Sequence, residues 1–168
     1  MDQPTQIDGR PMITNAMIDY FKFEEDFVEE NMRCIPMIVR MKLDRCGIKL
    51  KLSEWSKFSE PERVDLANLP CEDPADTSSY RQYISNLVMI RTGQKASPLA
   101  VTQPFEWMIV DQVPEMVLTK LKEFRWHISM DQWTLLSELQ RFALIKLSRP
   151  GHENVNFPLA VKEFGLVS

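Results

Sequence analysis

LKLSEWSKFSEPERVDLANL at residues 50–69 and ISMDQWTLLSELQRFALIKL at residues 128–147 decide the fold, because they are one pattern used twice at an offset of 78. Leu50 meets Ile128, Leu52 meets Met130 and Trp55 meets Trp133. Phe58 falls on Leu136, Arg63 on Arg141, Leu66 on Leu144 and Leu69 on Leu147. The register runs backwards as well, with Pro36, Val39, Lys42 and Leu43 meeting Pro114, Val117, Lys120 and Leu121. In each copy a serine precedes a carboxylate or amide by three residues: Ser59 with Glu62, and Ser137 with Gln140. That is the pattern of a capping box, in which two side chains satisfy backbone amides that the first helical turn leaves without partners. The expectation is an all-α fold. It is a single compact helical domain, built from two internally duplicated halves with approximate two-fold symmetry.

Outward from the repeat, the domain spans 1–168. Residues 1–18 form a loose polar tail, 33–92 the first half, 93–112 a connection and 113–166 the second half. Ile35, Val39, Leu43 and Cys46 predict a helix over 35–46, with Pro36 in its first turn and Gly47 as its stop. After Pro70, CEDPADTSS reads as a loop. Tyr80, Tyr83, Ile84, Leu87 and Val88 then predict an amphipathic helix ending near Gly93. Phe105, Trp107 and Met108 are expected to pin the connection. A helix near 114–125 opens the second half, and Leu159, Val161 and Phe164 predict a short last helix stopped by Gly165. The halves are expected to pack through the Trp, Phe and Leu positions of both repeats.

Composition narrows the function classes. With 20 basic and 24 acidic residues the net charge is −4, a poor balance for a nucleic-acid binder. The second repeated helix carries Glu60, Glu62 and Asp65 around Arg63, which suits phosphates badly. No apolar run is long enough for a membrane span, and the first ten residues lack the character of a signal peptide. Three irregularly spaced cysteines do not describe a disulfide framework, so a cytoplasmic protein is expected. Cys34, Cys46 and Cys71 form no CxxC pair, and no metal or other cofactor is expected. Phosphate-cradling glycine loops, dinucleotide fingerprints and nucleophile elbows are absent. His127, between Trp126 and Ile128, reads as a partly buried structural residue.

Two stretches carry the candidate binding residues. Between 19 and 30 the acids Asp19, Glu24, Glu25, Asp26, Glu29 and Glu30 face Lys22 alone, and between 33 and 51 the sign reverses. In that basic run Arg40, Lys42, Arg45 and Lys49 could form a face for an acidic protein or a phosphate-bearing ligand. The loop after the second repeat gathers Arg149, His152, Glu153 and Asn154, polar groups set among turn formers. An acid–base role for His152 would need a partner and a pocket. Capping of the last helix by this loop is the structural alternative.

The blocks RCIPMIVRMKLDRCGIKLKLSEWSKFS (33–59) and LQRFALIKLSRPGHENVNF (139–157), with YRQY at 80–83 and KEFGL at 162–166, resemble the nitrate reductase-associated protein family. The similarity covers roughly residues 21–166. That family is known mainly from cyanobacteria, with genes typically beside those for assimilatory nitrate reductase and molybdenum cofactor synthesis. The resemblance implies a non-catalytic accessory protein required for active reductase, with no catalytic residue to carry over. Its implied partner is assimilatory nitrate reductase, with no nucleic acid and no membrane involved. A maturation factor binding the reductase while the molybdenum cofactor is inserted is the preferred reading. A scaffold delivering ferredoxin to the reductase, contact with molybdenum cofactor synthesis proteins, a small enzyme using the His152/Glu153 loop and a transcriptional regulator are the alternatives.

Overall fold

Capping chemistry and proline set most of the helix boundaries. The computed structural model describes residues 20–24, 34–150 and 155–168. Among these, a 3-10 turn (Lys22–Glu24) precedes α1 (Met37–Cys46), β1 (Ile48–Lys49), α2 (Leu52–Trp55), α3 (Glu60–Asn68) and α4 (Pro74–Thr92). Then follow β2 (Ser97–Pro98), a second 3-10 turn (Glu106–Met108), α5 (Glu115–Glu123), α6 (Met130–Leu135), α7 (Glu138–Ser148) and α8 (Asn156–Glu163). The described chain is therefore mostly helical. It also departs from a pure helical fold, because β1 and β2 pair antiparallel, Ile48 opposite Pro98 and Lys49 opposite Ser97.

Both predicted capping boxes form. Ser59 N–H donates to Glu62 Oε2 at 2.8 Å and Glu62 N–H to Ser59 Oγ at 3.4 Å. Ser137 N–H donates to Gln140 Oε1 at 2.9 Å, with the reciprocal bond to Ser137 Oγ at 3.1 Å. A further box, Ser129 with Gln132, starts α6. At the matching place in the first half Lys51 has no hydroxyl, and there Glu54 alone reaches back to the Lys51 N–H at 2.8 Å. Pro36 and Pro114 stand at the N-cap positions rather than inside the first turn, and Gly47 ends α1 in the left-handed region at φ 77°. A Cβ on Gly47 would lie 2.9 Å from Arg81 Nη1 and 3.1 Å from the Leu99 carbonyl, so close approach reinforces the need for glycine there.

Two expectations are corrected at helix ends. The run after Pro70 is mostly helix, because Asp73 caps α4 by accepting the Asp76 N–H at 2.8 Å and Pro74 fits its first turn. His127 is exposed. Arg125 takes φ 59° at the end of α5, and the extended chain beyond it turns Trp126 and Ile128 toward the core and His127 outward. Met108 and Leu159 are exposed too, so neither anchors its segment.

The helix starts recur in step: Met37, Leu52 and Glu60 in the first half, Glu115, Met130 and Glu138 in the second. So does burial, with Val39 and Val117, Trp55 and Trp133, and Leu66 and Leu144 all fully enclosed. Yet the two tryptophans do not meet. Trp55 packs with Val39, Leu43, Leu66, Tyr80 and Ile84, whereas Trp133 packs with Val117, Leu121, Phe142, Leu144 and Phe157. Helix α1 joins these two cores, because Val39 and Leu43 enter the first while Met37 and Met41 enter the second. The expected packing through both tryptophan sites is replaced by packing of α1 on α7, and α7 also carries α5, α8 and the second 3-10 turn.

Residues 20–24 clasp this assembly. Phe21 and Phe23 stack at 5.2 Å and meet Phe164, while the buried Glu24 carboxylate accepts the Met37 N–H at 2.7 Å and the Phe21 N–H at 3.3 Å. Burial pushes the Glu24 carboxyl up to about 7, and Glu163 adds to the rise. The two N–H bonds and Arg40 pull the other way and lose. Because the folded-state value lies above the ordinary 4.5, the unfolded chain loses this proton at lower pH than the folded protein does. The site is therefore most stabilising below about pH 4.5, weakens as pH rises and levels off above about 7. Glu24→Gln removes the ionisation. Its stability relative to the natural protein is expected to rise by about 2–3 kcal/mol between roughly pH 5 and pH 8. Urea unfolding of both proteins across that range checks this; a difference that stays flat with pH rules it out.

Candidate functional site

The connection between α4 and α5 builds one wall of a cleft against α7. Its backbone is tied at both ends. Leu99 N–H donates to the Gly47 carbonyl at 2.8 Å beside the β1–β2 pair, and Arg141 Nε–H on α7 donates to the Trp107 carbonyl at 2.7 Å. Phe105 and Trp107 stack at 4.4 Å, and Phe142 of α7 meets Trp107 edge-on at 5.1 Å. Residues 99–102 and 104–107 thus face Phe142, Ile145 and Lys146 of α7, Arg149 just past its end and Asp44 of α1 across a space of about 290 Å3. The positions 142, 145 and 146 follow the spacing that puts residues on one helical face.

The charges of the cleft sit at its α1–α7 end. Lys146 Nζ lies 3.1 Å from Asp44 Oδ2 and 5.5 Å from the centre of the Phe142 ring. Burial holds the Lys146 ammonium below its ordinary range, and the nearby Arg149 and Arg40 push it the same way, against the pull of Asp44. Arg40 is half-buried, donates Nε–H to the Ile35 carbonyl at 2.9 Å and is itself depressed by burial. Lys146 is thus the cation paired with Asp44, Arg149 stands at the same end of the cleft, and Arg40 lies behind them between Asp44 and Glu24. Glu106 stands exposed in the opposite wall. The Trp107 Nε1–H is buried and has no acceptor among the described residues.

Of the residues predicted from sequence, Arg149 lines this cleft, and Arg40 does not line it but lies near enough to act on Lys146. Lys42 and Arg45 face elsewhere and are held by the fold. Lys42 Nζ donates to the Ala67 and Leu69 carbonyls at 2.6 Å each, closing the end of α3, and lies over the Tyr80 ring. Arg45 Nη2 pairs with Glu138 Oε2 at 2.5 Å, joining α1 to the start of α7. Lys49 is exposed on β1. The basic run is thus not one continuous face, since helical geometry points residues 40 and 44 one way and residues 42 and 45 another. His152, Glu153 and Asn154 lie outside the described residues. Lys146 was missed because its stretch reads as the apolar core helix of a repeat.

A wider cleft of about 800 Å3 opens where α1 meets the end of α3 and the start of α7. Its cations, Lys42 and Arg45, are the ones already engaged. No group of three or more His, Cys, Asp or Glu side chains that could hold a metal occurs among the described residues. Cys46 and Cys71 are buried as free thiols, each pushed up chiefly by burial. No described helix is long and apolar enough to cross a membrane.

Fold and cleft together define a mainly helical protein with an aromatic-walled, charge-rimmed groove between residues 99–107 and α7. The family profile of conserved nitrate reductase-associated proteins matches residues 20–164, and the chain belongs to that family. No curated protein and no solved structure matches it.

Proposed function

We propose that this chain is a non-catalytic accessory protein of assimilatory nitrate reductase, acting in the cytoplasm while the reductase acquires its molybdenum cofactor. Membership in a reductase-associated family sets the context. The observation that carries the reading is the cleft in which Lys146 and Arg149 stand beside Phe105, Trp107 and Phe142. Aromatic walls with a few charged groups at the rim suit recognition of another protein, where buried aromatics supply most of the energy and charges set orientation. In this reading the cleft seats the apo-reductase and holds it competent for cofactor insertion. The two halves, with helix starts and buried tryptophans in step, are read as copies of one unit related by an approximate two-fold axis.

The test is nitrate reductase activity in extracts of a strain lacking the gene, with reduced methyl viologen as donor. That dye bypasses ferredoxin and reports on the reductase alone. Activity is expected to fall at least tenfold while reductase protein persists, and added molybdenum cofactor with this protein should restore it. Full dye-driven activity in a strain unable to grow on nitrate would overturn the maturation role and favour ferredoxin delivery.

A further inference from the structure

We infer that the cleft between the connection and α7 takes a short acidic segment of the partner protein, one carboxylate side chain beside one apolar side chain. The inference rests on the accessory-protein reading for its biological setting and on the cleft itself for its chemistry. At the α1–α7 end Lys146 and Arg149 line the cleft with Asp44 as the one carboxylate of that end, and Arg40, shared between Asp44 and Glu24, adds positive charge behind Lys146, so that end favours a further negative group. Lys146 sets where that group would go. Its ammonium is held between Asp44 and the Phe142 ring and is partly desolvated, where a carboxylate gains more than it would in water. Arg149, exposed at the rim, reaches the same end and supplies a planar fork that matches carboxylate geometry.

The rest of the cleft fixes the second half of the ligand. Phe105 and Trp107 form a stacked wall, and Phe142 meets it edge-on. A space of about 290 Å3 holds one or two side chains and is too small for a folded element. Glu106 opposes an acidic ligand. It therefore offers a test with the opposite sign.

The probe is an acetylated, amidated hexapeptide alternating Asp with Leu and Phe, followed by calorimetry and by the tryptophan emission of the full chain. Its controls are the Asn-for-Asp peptide, an Asp-Gly peptide and inorganic phosphate. The acidic apolar peptide should bind. Replacing its Asp with Asn, or its Leu and Phe with Gly, should weaken binding about tenfold or more. Arg149→Glu, at an exposed position, should weaken binding at least tenfold and Lys146→Gln similarly, whereas Glu106→Gln should tighten it a few-fold. Equal binding by all three variants, or equal binding of the Asn peptide, overturns the inference. Binding of phosphate at the same strength as the peptide overturns it too, and makes the site a small-anion site. Purified reductase separates the two readings. Reductase that binds natural protein and Arg149→Glu equally leaves the accessory role standing without this cleft. Peptide binding without reductase binding keeps the cleft's chemistry and removes the proposed partner.

Discussion

Trp133→Ala is expected to lower unfolding stability by about 3–5 kcal/mol, a large part of the 5–15 kcal/mol typical of a domain. Trp133 is fully buried among Val117, Leu121, Phe142 and Leu144, so truncation removes apolar contact and leaves a cavity. It also frees the end of the connection, because Trp133 Nε1–H donates to the Ile109 carbonyl at 3.1 Å and the neighbouring Thr134 hydroxyl to the Val110 carbonyl at 3.1 Å. Trp133→Phe keeps most of the packing and loses the hydrogen bond, and should be destabilising by about 1–2 kcal/mol. Trp55→Ala should be as severe as Trp133→Ala, since Trp55 fills the equivalent place in the other core. The two cores share no tryptophan contact, so the Phe substitutions Trp55→Phe and Trp133→Phe should add to within about 0.5 kcal/mol. Urea midpoints of the single and double variants decide this. A coupling well above that value would mean that α1 transmits strain from one core to the other.

That arrangement explains which parts of the fold could be read from sequence. Boundaries written in short-range chemistry were legible: Ser59 with Glu62, Ser137 with Gln140 and Gly47 each act within one turn, and each does what its spacing predicts. The mates of a buried residue were not. Nothing in the period of α1 says that Val39 and Met41 face different cores, because both are apolar and a helix buried on two sides loses its polar stripe. The same limit applied to the site. Lys42 and Arg45 look, in sequence, like the best members of a basic face, yet their partners are carbonyls and a glutamate between 25 and 93 positions away. Lys146 stands in the otherwise apolar run FALIKL at 142–147, where nothing in the sequence marks it as part of a site. What makes it part of a site is the connection folded against it, a segment without hydrophobic period whose path is set by the β1–β2 pair, the Leu99 N–H bond to the Gly47 carbonyl and the side-chain bonds from Arg141, Trp133 and Thr134.

Arg141→Met is expected to be destabilising by about 3–5 kcal/mol and to open the cleft at the same time. Arg141 is almost fully buried on α7. Its Nε–H donates to the Trp107 carbonyl at 2.7 Å and its Nη1–H to the Leu136 carbonyl at 2.5 Å. Burial depresses the guanidinium, opposed by Glu138. Arg141 thus acts chiefly as a rigid fork joining the connection to the turn before α7. Methionine fills much of the stem's volume but leaves both carbonyls buried without donors, each destabilising by about 1–3 kcal/mol. Lysine restores a charge without the fork and should recover only part of the loss. The counterpart in the first repeat supplies an internal comparison. Arg63 is only half-buried and donates to the Trp55 and Ser56 carbonyls at 3.3 and 3.1 Å, so water can replace it. Arg63→Met should therefore be destabilising by only about 1 kcal/mol. Urea unfolding gives both energies. Tryptophan emission below the transition reports on the cleft, where Trp107 should become wetter in Arg141→Met and stay unchanged in Arg63→Met. Equal losses at the two positions would mean that the repeated arginine serves its own helix pair in both halves, and that the connection is held to α7 by aromatic stacking instead.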